Sequence, residues 1–164
     1  MSLTISTLPS LCRGLMGSVL LLAGWLPNAM AEGERWYLQT SAYTRHFSPD
    51  PEHNNRQRLI GLEREDAGGW LWGGATFRNS FDQRSVYAYG GKAWRHDDWP
   101  VYAKLSAGLL HGYRGEYRDK IPLNRFGVAP AVIPAVGYGL GPVGVEAVLL
   151  GANAMMINVG YGFR

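Results

Sequence analysis

The chain has 164 residues, 46% of them hydrophobic, with a formal net charge of +3 and one cysteine. That length suits a single domain, and a lone cysteine excludes an intramolecular disulfide framework. No basic stripe with interleaved aromatics argues for nucleic acid.

At the amino end Arg13 precedes an apolar run from Leu15 to Leu26, followed by Pro27 and the small-residue site Ala29-Met30-Ala31. Charge, apolar core and small residues in that order read as a secretory signal peptide, residues 1–31, cleaved after Ala31. The rest, 32–164, reads as one domain of 133 residues with a charge of +2, because Arg13 is the only charge removed. Cys12 goes with the leader, so thiol chemistry is not expected. No apolar run of the ~20 residues a spanning helix needs remains, so a membrane could be crossed only by a closed barrel.

Alternation of apolar residues predicts eight strands, at 36–47, 57–64, 70–78, 86–94, 101–112, 126–138, 143–150 and 155–163. In the last of them Met155, Ile157, Val159, Tyr161 and Phe163 share one face and Met156, Asn158, Gly160 and Gly162 the other. The connections 66–69, 95–99 and 139–142 are short, whereas 48–56, 79–85 and 113–125 are longer or more polar. Short turns at one end and longer loops at the other suit an eight-stranded antiparallel transmembrane β-barrel of a Gram-negative outer membrane, present as a monomer. In the fifth strand Val101, Ala103, Leu105, Ala107 and Leu109 are expected to face lipid, and in the seventh Val143, Val145, Ala147 and Leu149. Lys104 and Glu146 then fall inside, where they could pair with each other or with Lys92. Trp36, Trp70, Trp72, Trp94 and Trp99 fall at the periplasmic ends as an aromatic girdle. A soluble sandwich or lipocalin-like barrel would need polar outer faces that the fifth, seventh and eighth strands lack.

The four histidines, His46, His53, His96 and His111, have no metal-ligand spacing, and there is no Gly-x-Ser-x-Gly elbow or phosphate-binding glycine loop. No metal or cofactor is expected. Strand order brings His46, at the outer end of the first strand, to the same rim as Asn79-Ser80, at the outer end of the third. A histidine there can serve as a general base and a serine as a nucleophile or hydrogen-bond partner, although surface loops are rich in all three residue types. Pro130 and Pro134 are expected to interrupt the sixth strand, with Pro142 at the turn into the seventh. Each lacks an N–H for the ladder, which makes this region either a bulge or a lateral gate for lipid.

The segments Tyr43-Thr44-Arg45-His46-Phe47, Thr76-Phe77-Arg78-Asn79-Ser80-Phe81, Ile121-Pro122-Leu123, Ala135-Val136-Gly137-Tyr138-Gly139 and Gly141-Pro142-Val143 resemble, in order and placement, the PagP-type lipid A palmitoyltransferases. The resemblance implies an outer-membrane enzyme that moves a palmitoyl chain from a glycerophospholipid to a hydroxyl of lipid A. It places His46 on the family's essential histidine and Ser80 on its serine, with Asn79 beside them. Asn79 stands where the family usually has Asp, so Asp82 or Asp50 would have to substitute, and the helix preceding the barrel in enterobacterial members is absent. The Pro-rich region would be the lateral gate. Nearby Arg45, Arg78 and Arg84 could meet lipid A phosphates. In the fourth strand the aromatic set Tyr87 and Tyr89 is expected to face lipid, which puts Val86, Ala88, Gly90 and Lys92 inside, so that an acyl chain would descend past Ala88 and stop at Gly90. A slip of one residue would shift that role to Gly91. The rival readings are a lipid A deacylase, whose His-x-Ser signature this chain lacks, and a non-enzymatic small barrel.

Overall fold

The computed structural model describes residues 33–48, 53–54 and 57–164; the expected signal peptide and Asp50 lie outside them. Eight strands are present: β1 (Arg35–His46), β2 (Ile60–Glu65), β3 (Trp70–Arg78), β4 (Arg84–Arg95), β5 (Val101–His111), β6 (Val128–Leu140), β7 (Val143–Leu150) and β8 (Ala154–Phe163). Each pairs antiparallel with its neighbours, and β1 pairs with β8 to close the barrel. Among the described residues the one short helix, a 3-10 turn at Gly115–Lys120, lies in the β5-to-β6 loop.

Period-two patterning sorts the side chains. Leu38, Leu62, Leu105, Leu109, Val136 and Leu149 stand exposed on the outer face. Around the rim with the short turns stand Trp70, Trp72, Trp94 and Trp99, also exposed, and Trp36 meets Trp72 edge-on at 5.8 Å. Closure of β1 on β8 leaves no edge strand, and an apolar belt ending in a tryptophan girdle is solvated by lipid rather than water. The protein is an outer-membrane β-barrel, with the tryptophan rim on the periplasmic side. Among the described residues no helix is long and apolar enough to cross a membrane; the crossing is made by strands.

The periplasmic half is filled by charge and aromatic rings. Lys104 Nζ donates to both Glu146 oxygens at 2.8 Å and to Glu63 at 3.2 Å, all three buried. Below them Glu65 accepts from Arg35 at 2.6 Å and from Arg95 at 2.7 Å. Gln39 joins the layer by accepting from Asn158 at 3.2 Å. Tyr37 and Tyr102 lie flat over glycines: a Cβ at Gly160 would come within 2.3 Å of the Tyr37 ring, and one at Gly137 within 2.2 Å of the Tyr102 ring. At Gly69, φ is +79° and a Cβ would sit 2.4 Å from Ala93 O, so the β2-to-β3 turn needs glycine there.

The inward placement of Lys104 and Glu146, and the faces expected of β5, β7 and β8, agree with the structure. β4 is reversed. Tyr87 and Tyr89 point inward, whereas Ala88 and Gly90 face lipid, so neither can line or floor an interior pocket. The phenol groups decide this, because a hydroxyl facing hydrocarbon has no partner. Inside, Tyr89 donates to Glu63 at 3.0 Å, and Tyr87 lies 3.3 Å from both Ser106 Oγ and Ala131 O. Lys92 follows the outer set and lies 4.7 Å over the Trp70 ring in the girdle, away from Lys104 and Glu146. Pro142 lies in the two-residue periplasmic turn between β6 and β7, where its carbonyl accepts from Gly162 N at 2.7 Å, so it is no part of a gate. Pro130 and Pro134 do not interrupt β6, which runs unbroken for 13 residues in register with β5.

Candidate active site

In the outer half the wall opens. β6 pairs with β7 only from Leu140 up to Ala135, opposite Val148, so 128–134 has a β5 partner and no β7 partner. Val128 spends both its backbone N–H and its carbonyl on Arg125, on the edge away from β5. Pro130 and Pro134 have the same parity, so the donors they lack belong to that same open edge. The prolines break the seam between strands rather than the strand.

A second thinning lies between β1 and β2, whose ladder stops at Thr40 opposite Ile60. Above it side chains replace the ladder: Thr40 Oγ1 donates to Leu59 O at 2.7 Å, Leu59 N donates to Ser41 Oγ at 2.9 Å, and Ser41 Oγ donates to Gln57 O. At this level β1 carries a bulge, since Ser41 opposes Asn158 and Tyr43 opposes Ile157, leaving Ala42 as the extra residue. Inward positions on β1 run Tyr37, Gln39, Ser41 and then Thr44, His46. The bulge therefore swings His46 from the lipid parity into the barrel mouth.

There His46 Nε2 lies 2.8 Å from Ser80 Oγ. Gln57 Nε2 donates to the same oxygen at 3.1 Å, and Asn54 N donates to Ser80 O at 2.7 Å. Tyr113, from the β5-to-β6 loop, is hydrogen-bonded to Ser80; burial pushes its phenol above the usual range and outweighs the opposing pull of those bonds. The His46 ring stacks on His53 with centroids 4.4 Å apart, His53 meets Phe81 edge-on at 5.6 Å, and Phe81 stacks on Tyr117 at 4.1 Å. A general base beside a hydroxyl fed by two polar side chains is an arrangement that can activate or polarise an oxygen.

The other expected site residues divide. Asn79 is fully buried and its Oδ1 accepts from Phe81 N at 2.9 Å and Gln83 N at 3.0 Å. It builds the corner that presents Ser80, while its amide Nδ2 is buried with no hydrogen-bond partner. Asp82 is engaged with Arg78 and Asn54 on the outside of that corner. Arg45, Arg78 and Arg84 are exposed at the outer ends of β1, β3 and β4, with Arg78 opposite Arg84 across the ladder. Gln57, His53 and Tyr113 were not legible as site residues: each comes from a loop whose path the alternation of strands does not encode.

Beneath this rim lies a cavity enclosing about 560 Å³ with its open mouth, lined in its upper part by Leu59, Phe77, Ile133, Val148, Leu150 and Met156. Its floor is the layer of Tyr89, Lys104, Glu146, Gln39 and Asn158. Register places Met156 opposite Thr44 and Ala154 opposite His46, so the cavity starts one inward residue below the histidine. Ile133 and Leu150 border both the cavity and the open seam. Among the described residues no group of three or more His, Cys, Asp or Glu could hold a metal ion.

No protein-family model and no curated protein matches the chain. Solved structures that it resembles include a de novo designed transmembrane β-barrel, at 11% identity over 80% of this chain and 95% of that one, TM-score 0.49. Another is Ail, the attachment invasion locus protein of Yersinia pestis, at 16% identity over 80% and 99%, TM-score 0.47. A third is the N-terminal β-barrel domain of Pseudomonas aeruginosa OprF, at 12% identity over 80% and 98%, TM-score 0.43.

Proposed function

We propose that the protein is an outer-membrane acyltransferase that moves a palmitoyl chain from a glycerophospholipid to a hydroxyl of lipid A. The observation that carries the reading is the convergence of His46, Ser80 and Gln57 directly above an apolar cavity that borders an open seam in the wall. The apolar lining of that cavity over a charged floor suits a single hydrocarbon tail.

In this reading the donor tail descends into the cavity and its ester carbonyl stops at the rim. His46 Nε2 takes the proton of the acceptor hydroxyl as that oxygen bonds to the ester carbonyl carbon. The carbon–oxygen bond to the glycerol of the donor then breaks, and His46 returns the proton to the departing glycerol oxygen. Ser80, Gln57 and Tyr113 supply the hydrogen bonds that steady the charge developing on the carbonyl oxygen. Arg45, Arg78 and Arg84 offer cations at the height of the lipid A phosphates. The separation of the catalytic pair from the lipid belt leaves assembly independent of it, so His46→Ala and Ser80→Ala should each lower transfer about 10²- to 10⁴-fold with the barrel intact.

Mass spectrometry of lipid A from cells with and without the protein tests the reading. A gained palmitoyl chain that disappears with His46→Ala supports it; a lost acyl chain indicates a deacylase, and unchanged lipid A a barrel without this activity.

A further inference from the structure

The β5-to-β6 loop ends in a feature that the chemistry at Ser80 does not use. Arg125 N donates to Val128 O and Val128 N donates to Arg125 O, each at 3.0 Å, closing a two-residue turn with Phe126 and Gly127 at its tip. Both tip residues have positive φ, 55° at Phe126 and 80° at Gly127. A tight hairpin needs that backbone, and Asn, Asp or Gly ordinarily provides it at the first tip position. A phenylalanine there is strained by its Cβ. Packing does not offset the strain, because Phe126 is 97% exposed, the most exposed large hydrophobic residue described. Leu123, three residues earlier, repeats the combination, with φ 59° and 73% exposure.

The position of the turn is specific. Arg125 occupies the edge of β6 that β7 leaves open, so the turn stands at the head of the seam. Directly along the same outer face follow exposed Pro130, Val132 and Pro134, which continue the lipid-facing belt. The loop is basic, with Arg114, Arg118, Lys120 and Arg125 against Glu116 and Asp119. Its other end grips the candidate active site, through Tyr113 on Ser80 and Tyr117 stacked on Phe81.

We propose that the 125–128 turn is a docking finger for an anionic glycolipid of the outer leaflet, the lipid A acceptor, with Phe126 and Leu123 among its acyl chains and the basic loop beside its phosphates. Exposed apolar surface continuous with a lipid belt and flanked by cations fits a molecule that carries both hydrocarbon and phosphate. The identity of this lipid as an acceptor rests on the acyltransferase reading, but its docking can be measured without turnover.

Cys12 is the chain's only cysteine and precedes the expected cleavage site, so Phe126→Cys in the mature protein takes one spin label. In bilayers containing lipid A the label should be more accessible to oxygen than to a nickel chelate, and its motion should be slower than in phosphatidylcholine alone. A label equally open to the chelate in both bilayers overturns the proposal, as does equal burial and equal motion in both. Phe126→Asn, which suits positive φ, should leave the barrel at least as heat-stable as the wild type while raising KM for lipid A about tenfold with kcat unchanged. An unchanged KM overturns the proposal. If the wild type transfers no acyl chain, the acyltransferase reading fails while the spin-label result still decides the docking.

Discussion

The two halves of the barrel are built on opposite principles. In the periplasmic half every strand is paired, tyrosine rings cover glycines, and Lys104 and Glu65 tie β1, β2, β4, β5 and β7 together through buried ion pairs. In the outer half two ladders stop early, the interior is apolar and unfilled, and the polar groups gather at the mouth. A half that ties itself together with charge is held from strand to strand; a half that gives up backbone bonds gains, in the acyltransferase reading, a wall that lipid can part. Stability and function thus separate along the barrel axis.

Breaking the periplasmic plug is the severest test of that separation. Lys104→Met leaves Glu63 and Glu146 facing each other in a buried site, and should destabilise the barrel by about 3–5 kcal/mol in urea titrations from detergent. Losses well below this would mean that the plug is not what holds the lower half. Closing the upper half is the complementary test. Cysteines at Pro134 and Leu149, opposite one another by extension of the Ala135 to Val148 register, should slow acyl transfer several-fold when oxidised and recover on reduction. Turnover unaffected by the bond would place lipid access elsewhere, with the β1-to-β2 gap as the next candidate. The gentlest test sharpens where the cavity ends. Ala135→Met extends a side chain into the cavity and should shift preference to shorter donor chains, whereas Gly90→Met, on the lipid face, should leave chain length unchanged in a donor-competition assay. A shift in the Gly90 variant alone would restore the inward reading of β4.

Much of this architecture was readable from alternation, and the exceptions have physical causes. β5, β7 and β8 each keep one face apolar throughout and carry Lys104, Glu146 or Asn158 on the other, so their faces are unambiguous, and strand order alone brought His46 and Ser80 to one rim. β4 misleads because tyrosine is apolar in its ring and polar at its tip. Counting it with the hydrocarbons sends Tyr87 and Tyr89 to lipid, although their hydroxyls need Ser106 and Glu63. The prolines signalled weakened pairing but not which edge had lost its donors; that depends on the direction of each N–H, which the bonds of Val128 fix. Gln57 escaped notice as a site residue because it reads as the start of β2, whereas the strand begins at Ile60 and the residues before it turn into the mouth.

The bulge at Ala42 has a consequence for how relatives of this chain should be aligned. β1 holds one residue more than its register with β8, so sidedness below Ser41 and above Tyr43 follows two different frames. Counted without a break, His46 shares the frame of lipid-facing Leu38. A barrel with one residue fewer at this point would keep both faces and show its histidine an even number of positions after Tyr37. An alignment that forbids gaps inside strands would then pair His46 with an outward residue and hide the shared mouth; one that allows a single gap at Ala42 would restore it.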